Sequence, residues 1–297
     1  MNHFDFIRRS QLITPARSEK MITKALEVNC DSLIIDLEDA IAPGFKKEAR
    51  QVLCRSLANV HSDGKRELCV RINSLDSPWC LDDLLALDGL SIDSVVVPKV
   101  HTPEDLFAYD RLLNQLELRG GRKGITLQAL IESASGLEHA CAIGRASRRC
   151  RALIFGVGDF MADTGMALTS AAMLGVRARV VTAAAASGLQ AIDHVHPVVA
   201  DLDGLRRVAS ESKAMGFAGR WAIHPHQVNP INTAFSPSAA EVAHAQRTIE
   251  SFEAAQKIGE GAIAMNGELV DEAVLKIARR NIALAERSLP QSSPYAP

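Results

Sequence analysis

Two carboxylates in this 297-residue chain are placed to grip a hard cation: Glu132 in ALIES and Asp159 in GVGD. Each closes a short apolar run, and the two runs are consecutive, so the side chains are expected side by side. Carboxylates that close repel unless a proton or a cation lies between them. With oxygen ligands only, and no His or Cys in either run, Mg²⁺ is the favoured ion and Mn²⁺ the second choice. Mg²⁺ keeps part of its shell open, which leaves room for substrate oxygens. The competing reading is structural, with each carboxylate paired to a strand-end Arg or Lys. The glycines of Gly156-Val157-Gly158-Asp159 permit close backbone approach but form no dinucleotide fingerprint.

Other polar groups close similar runs. Arg71, in LCVRIN, offers a forked guanidinium to a carboxylate or a thioester oxygen; an ion pair to Asp36 or Glu38 explains it equally well. Asp36 and Glu38 should share one side of their strand, with Leu37 on the other. Glu38 or Asp39 suits a supporting role, holding metal-bound water. Lys99 in SVVVPKV raises a Schiff-base aldolase, which the nearby acids oppose by keeping its amine charged. His194, His196 and His224 read as packed or hydrogen-bonded histidines rather than catalysts.

These residues need elements to position them. Eight β-branched runs occur, at 10–15, 32–39, 68–73, 94–100, 125–133, 152–159, 189–197 and 219–225. Helix-spaced stretches lie between them, among them 18–29, 102–119 and 202–216, with Ser18 and Thr102 as N-caps and Pro103 in a first helical turn. Strand–helix alternation implies parallel strands. Eight units favour a closed (β/α)₈ TIM barrel, which needs ~250 residues, over an open doubly wound sheet. In a barrel all strand C-termini open on one face, where such enzymes place their chemistry. Residues 1–235 are assigned to a catalytic barrel. Residues 236–297 form a C-terminal helical extension suited to a neighbouring subunit, with helices near 237–257 and towards 288. Asn266-Gly267 marks a hairpin turn between them, and the Ser/Pro-rich tail 288–297 is expected to be mobile.

The bulk properties exclude some classes. With 33 basic and 35 acidic residues, net charge −2, nothing points to a nucleic acid or a membrane surface. Hydrophobic residues make up 47% of the chain, yet no run approaches the ~18 of a membrane helix. Six cysteines show no Cys-x-x-Cys pair, so buried thiols are expected rather than a zinc site or disulfide framework. Residues 1–10 carry charges and no apolar core, so no signal peptide is expected and the cytoplasm is the expected location.

Taken in order, RSQLITPARSEKMITKA, DSLIIDLEDAIAP with KKEAR, VRIN, VVVPKV, ALIESASGL, GVGDFMADTG, RARVVTAAAASGLQAIDHVHP and KAMGFAGRWAIHPHQV span nearly the whole chain. Together they resemble the citrate lyase β-subunit/malyl-CoA lyase family of barrel enzymes, in the HpcH/HpaI aldolase superfamily. The resemblance implies Glu132 and Asp159 as Mg²⁺ ligands and Arg71 as the substrate-binding arginine, with Glu132 beside the substrate. It implies Arg17, Lys20 and Pro225 as coenzyme A contacts. It implies Asp271, in GELVDEAV, as the acid that completes the next subunit's site in a homotrimer or hexamer. Asp271 also reads as the N-cap of the helix that follows it. Ala16, His196 and ADTGM depart from the family's usual Gly, aromatic residue and ADLG.

The resemblance thus implies an oxo-acid-lyase. It cleaves a β-hydroxyacyl-CoA thioester, of the citramalyl-CoA or malyl-CoA type, to acetyl-CoA and pyruvate or glyoxylate. The alternatives are a citrate lyase β-subunit, releasing oxaloacetate from a citryl thioester on an acyl carrier protein, and a non-catalytic barrel that holds a 2-oxo acid.

Overall fold

The computed structural model describes residues 6–62, 64–120, 124–265 and 267–288. Eight parallel strands close into a barrel in sequence order, with β8 pairing back onto β1. They are β1 (Ser10–Pro15), β2 (Ser32–Asp36), β3 (Glu67–Arg71), β4 (Ser94–Val97), β5 (Thr126–Ile131), β6 (Cys150–Phe155), β7 (Gln190–Asp193) and β8 (Gly219–Ala222). The surrounding helices are α1 (Glu19–Leu26), α2 (Lys46–Leu57), α3 (Cys80–Ala86), α4 (Pro103–Leu118), α5 (Ala134–Arg145), α6 (Val157–Thr164), α7 (Ser170–Ala186), α8 (Leu202–Met215) and α9 (Pro225–Phe235). Among the described residues no helix is long and apolar enough to cross a membrane.

Local chemistry starts these helices where the spacing predicts. Ser18 Oγ accepts from the Met21 amide, and Thr102 forms a reciprocal capping box with Asp105 ahead of Pro103. Every strand is shorter at its C-terminal end than the apolar runs imply, except β1. Glu38 and Asp39 lie in the loop after β2, and Asp159 lies in the first turn of α6 rather than at a strand end. The chain leaves the sheet at Gly156, and a carboxylate in a first helical turn faces the positive end of the helix dipole.

Inward-facing Ile34, Cys69, Val96, Leu130, Ile154, Ile192 and Trp221 fill the barrel with apolar contact. Beneath them runs a polar column that ends on Glu67 and Arg8, two charges just outside the apolar runs. Trp221 Nε1 donates to Gln11 Oε1 at 2.8 Å, Gln11 Nε2 to Gln128 Oε1 at 2.7 Å, and Gln128 Nε2 to Glu67 Oε2 at 3.2 Å. Arg8 forks Glu67 at 2.7 and 2.5 Å, and Ser32 Oγ donates to the same carboxylate at 2.8 Å. Glu67 and Arg8 are both buried. Breaking one side of such a pair leaves a charge in low dielectric. Glu67→Gln is therefore expected to destabilise the protein by about 3–5 kcal/mol. Urea unfolding measures it, and an unchanged midpoint would contradict it.

The chain divides into two compact units, the second beginning at Thr233. In the second, α10 (Ala239–Gln256) packs on α11 (Glu272–Arg287), with an antiparallel pair between them, β9 (Ile263–Met265) and β10 (Glu268–Val270). Phe252, Val270 and Leu275 form its small core. Gly267 takes a φ of 85°, as a hairpin turn requires; Asn266 and the tail from 289 onward lie outside the described residues.

Candidate active site

The C-terminal ends of β2 to β6, with the segments beyond them, carry Asp36, Glu38, Asp39, Arg71, Lys99, Glu132 and Asp159. Asp36 and Arg71 are register partners on β2 and β3, both buried. Arg71 Nε and Nη2 fork Asp36 at 2.7 Å each, while Nη1 lies 2.9 Å from Glu38 Oε2. The guanidinium sits 5.5 Å over the Trp221 ring. The ion-pair reading of Arg71 therefore holds in this chain, and any substrate contact must use its remaining edge.

Glu38 is buried and held in place through its backbone. Lys46 Nζ donates to the Leu37 and Glu38 carbonyls at 2.8 and 2.7 Å and lies over the Trp79 ring. Asn73 Nδ2 donates to the Leu37 carbonyl as well, and Asp36 accepts the Glu38 amide. Lys99 Nζ stands 3.2 Å from Glu38 Oε1. Burial works against the Lys99 ammonium, but Glu38, with Asp39 and Asp159 behind it, outweighs burial and holds the amine above its ordinary range. A Schiff-base lysine needs the opposite shift.

Glu132 follows β5 directly, two residues beyond inward-facing Leu130. Its Oε1 accepts the Lys99 amide at 2.6 Å. Burial, then the charges of Glu38 and Asp159, push its carboxyl up to about 8; the Lys99 amide and Arg71 oppose them. Burial likewise lifts Glu38 to about 7 against the pull of Arg71 and Lys99. Asp159 is half-buried, on the first turn of α6.

The arrangement fits a divalent cation. Asp36, Glu38, Asp39, Glu132 and Asp159 share the mouth with Arg71, Lys99 and Lys46, a formal excess of two negative charges that protons on Glu38 and Glu132, or a bound cation, would balance. Among the described residues no group of three or more His, Cys, Asp or Glu is arranged as a ligand set. Two carboxylates with the rest of the shell left to water and substrate is the usual manner of Mg²⁺.

Glu132 also makes a prediction about pH. Unfolded, it titrates near its ordinary 4.5; folded, near 8. The fold favours its protonated form, so that stability is complete below 4.5 and is lost as pH rises through 8. The metal-free protein is expected to weaken across this window, and Glu132→Gln to flatten the decline. Denaturant titrations of both proteins at several pH values test this, and parallel curves would contradict it.

Arg17 and Lys20, just past β1, and Pro225, at the start of α9 just past β8, are all exposed. β1 and β8 are neighbours in the barrel. Among the described residues neither Arg17 nor Lys20 has a carboxylate partner in the chain. The three histidines are packed or hydrogen-bonded. His194 Nδ1 bonds the Val195 carbonyl and its ring packs edge-on against Phe155; burial pushes it down to about 4. His196 pairs with Asp201 at 3.3 Å, and His224 packs against His226. In the second unit, Asp271 caps α11: its Oδ1 accepts the Ala273 and Val274 amides, at 3.0 and 3.1 Å.

Residues 9–225 match the family model described as HpcH/HpaI aldolase/citrate lyase. The chain belongs to the HpcH/HpaI aldolase/citrate lyase family. It is 35% identical over 303 residues to the L-malyl-CoA/β-methylmalyl-CoA lyase of Rhodobacter capsulatus, covering 94% of this chain and 95% of the relative. It is 33% identical over 286 residues to citrate lyase subunit beta of Escherichia coli K12, covering 95% and 94%. Among solved structures, the protein CitE from Mycobacterium tuberculosis, in complex with magnesium, acetoacetate and coenzyme A, superposes with a TM-score of 0.78. The two are 28% identical, over 95% of this chain and all of that one. As a member of the HpcH/HpaI family, with relatives named as lyases along almost its whole length, the chain is a carbon–carbon lyase.

The site contains residues that the strand-end reading passes over. Lys46 and Asn73 clamp the loop that carries Glu38. The backbone of Lys99, rather than its amine, meets Glu132. Lys46 stands in the KKEAR stretch, ten residues beyond β2, so its place at the mouth depends on how the loop folds back.

Proposed function

We propose that this protein is an Mg²⁺-dependent lyase. It cleaves a β-hydroxyacyl-CoA thioester of the citramalyl-CoA or malyl-CoA type into acetyl-CoA and a 2-oxo acid. The observation that carries the proposal is the buried Glu132 carboxylate just beyond β5, its Oε1 held by the Lys99 amide at 2.6 Å, with Asp159 on the first turn of α6 after the adjoining strand and their like charges opposing each other. Glu132 and Asp159 are the residues that would hold the ion. When bound, Mg²⁺ lowers the cost of negative charge on the substrate's hydroxyl oxygen. The magnesium complexes of the Mycobacterium relative support magnesium as the ion, and Mn²⁺ is the natural substitute.

The chain's own residues supply the rest. Arg71, oriented by Asp36, offers its free edge to the substrate carboxylate or the thioester oxygen as charge develops there. Glu38 and Asp39 would accept from water held by a bound ion. Arg17 and Lys20 present unpaired positive charge to the phosphates of coenzyme A, with Pro225 along the pantetheine arm. Loss of the hydroxyl proton to solvent and C–C cleavage leave a thioester enolate and a 2-oxo acid, and a proton delivered to the enolate carbon completes acetyl-CoA. We assign that proton to Asp271 of a neighbouring subunit in a homotrimer or hexamer. Its Oδ1 is engaged in capping α11, so the donor is Oδ2. Asp271→Asn should then slow turnover and leave metal affinity unchanged; a wild-type rate would reduce Asp271 to a cap.

A lyase assay over malyl-, citramalyl-, methylmalyl- and citryl-CoA, with and without EDTA, tests the assignment. EDTA-sensitive release of acetyl-CoA is expected from the purified protein alone. Activity confined to a citryl thioester on an acyl carrier protein would instead favour the citrate lyase β-subunit, the reading that the E. coli relative supports. Tight pyruvate binding with no cleavage would favour a binding protein.

A further inference from the structure

We propose that Gly156 and the backbone of Lys99 are positioning devices for the Glu132 carboxylate: one clears the space for Oε2, the other holds Oε1. The proposal rests on the reading of Glu132 as a metal ligand and adds what fixes that ligand's geometry.

Gly156 has φ −92° and ψ 87°, a conformation open to residues with a side chain, so backbone freedom does not require glycine here. Space does. A Cβ at 156 would stand 2.5 Å from Glu132 Oε2, 2.6 Å from Glu132 Cβ and 3.3 Å from Cδ. Rotating the carboxylate relieves the first contact but not the second, because Glu132 Cβ is fixed to the backbone just beyond β5. Nor can residue 156 retreat, since its amide donates to the Ile131 carbonyl at 3.0 Å and joins the two staves. A methyl group at 156 must displace the Glu132 side chain or part β5 from β6. Gly158, two residues on, makes the contrast: a Cβ there meets nothing within 4 Å.

Lys99 holds the other oxygen. Among the described residues it alone, apart from glycines, has positive φ, at 52°. Lysine has no local reason to adopt the left-handed region. That backbone turns its amide onto Glu132 Oε1 at 2.6 Å. Strain retained at one residue whose amide meets a buried carboxylate is the expected mark of a functional constraint. The ammonium is separately occupied with Glu38, so backbone and side chain are separable by mutation.

Mn²⁺ binding to the full-length protein without substrate, followed by the loss of the free-ion EPR signal, provides the test. Gly156→Ala is expected to weaken Mn²⁺ at least about tenfold, the scale of a lost supporting contact, while Gly158→Ala stays near wild type. Lys99→Gly keeps the left-handed backbone and loses the ammonium; Lys99→Val loses both. Lys99→Val is expected to bind Mn²⁺ several-fold more weakly than Lys99→Gly. Should Gly156→Ala fail to fold, judged by circular dichroism, the Lys99 pair decides alone. Equal affinities in that pair, a wild-type affinity in folded Gly156→Ala, or an equal loss in Gly158→Ala would each overturn the proposal. Glu132→Gln separates it from the reading beneath it. Undiminished Mn²⁺ binding in that variant would remove Glu132 as a ligand. Weak binding there beside normal binding in Gly156→Ala would remove only the positioning claim.

Discussion

Asp159→Asn is expected to abolish Mg²⁺-dependent turnover, by about a thousandfold or more, while the barrel stays folded. Asp159 is half-buried, in the first turn of α6, and among the described residues it makes none of the ion pairs that hold the mouth together. The amide preserves shape and removes one of the two charges assigned to the cation. It also removes a repulsion that raises the Glu132 carboxyl. The metal-free variant should therefore be as stable as wild type, or slightly more so. A loss of activity together with a loss of stability would point to a structural role. Full activity with unchanged metal dependence would remove Asp159 from the site. Steady-state rates across a Mg²⁺ titration, beside thermal melts with EDTA, separate these outcomes.

Much of this site is legible in the sequence because barrel strands are buried on both faces and tolerate few charges. Asp36, Arg71 and Glu132 stand out at the ends of apolar runs for that reason, and parallel alternation sends those ends to one face. What the pattern misses follows from its own logic. A strand read from its first apolar residue starts at Leu68, so Glu67, and with it the ion pair to Arg8, falls outside the pattern. An apolar run gives no warning that the chain breaks at Gly156, so Asp159 reads as a strand end although it begins a helix. Lys99 invites judgement by its amine, whereas its contribution to Glu132 is a backbone amide aimed by a torsion angle that no lysine side chain advertises. Gly156 resembles a loop glycine because the atoms it makes room for lie 24 positions earlier in the chain.

Arg71→Lys is expected to be the most damaging conservative change, costing both turnover and stability. The guanidinium meets three demands at once: a fork to buried Asp36, a contact to buried Glu38, and a flat face over Trp221. A lysine carries the charge on a single nitrogen. It can meet one carboxylate and leaves the other with a weakened partner in low dielectric. Losing one partner of a buried pair costs about 3–5 kcal/mol, a large share of the about 5–15 kcal/mol that keeps a domain folded. Loss of an oriented donor lowers kcat by about a hundredfold or more. The two losses come apart in Asp36→Asn, which keeps the guanidinium and removes the carboxylate that aims it. If Arg71 acts on substrate, Asp36→Asn should lower kcat/KM and leave the arginine able to bind a 2-oxo acid weakly, whereas Arg71→Lys should lose that binding. If Arg71 is only a strut, both variants should destabilise the fold and, at a temperature where they remain folded, turn over substrate at the wild-type rate. Its position makes the first outcome the expected one. The barrel places this cation on the inward side of β3, between Asp36 on β2 and Glu38 in the loop beyond it, where the same charges on the outward side would have held the strands to their helices equally well.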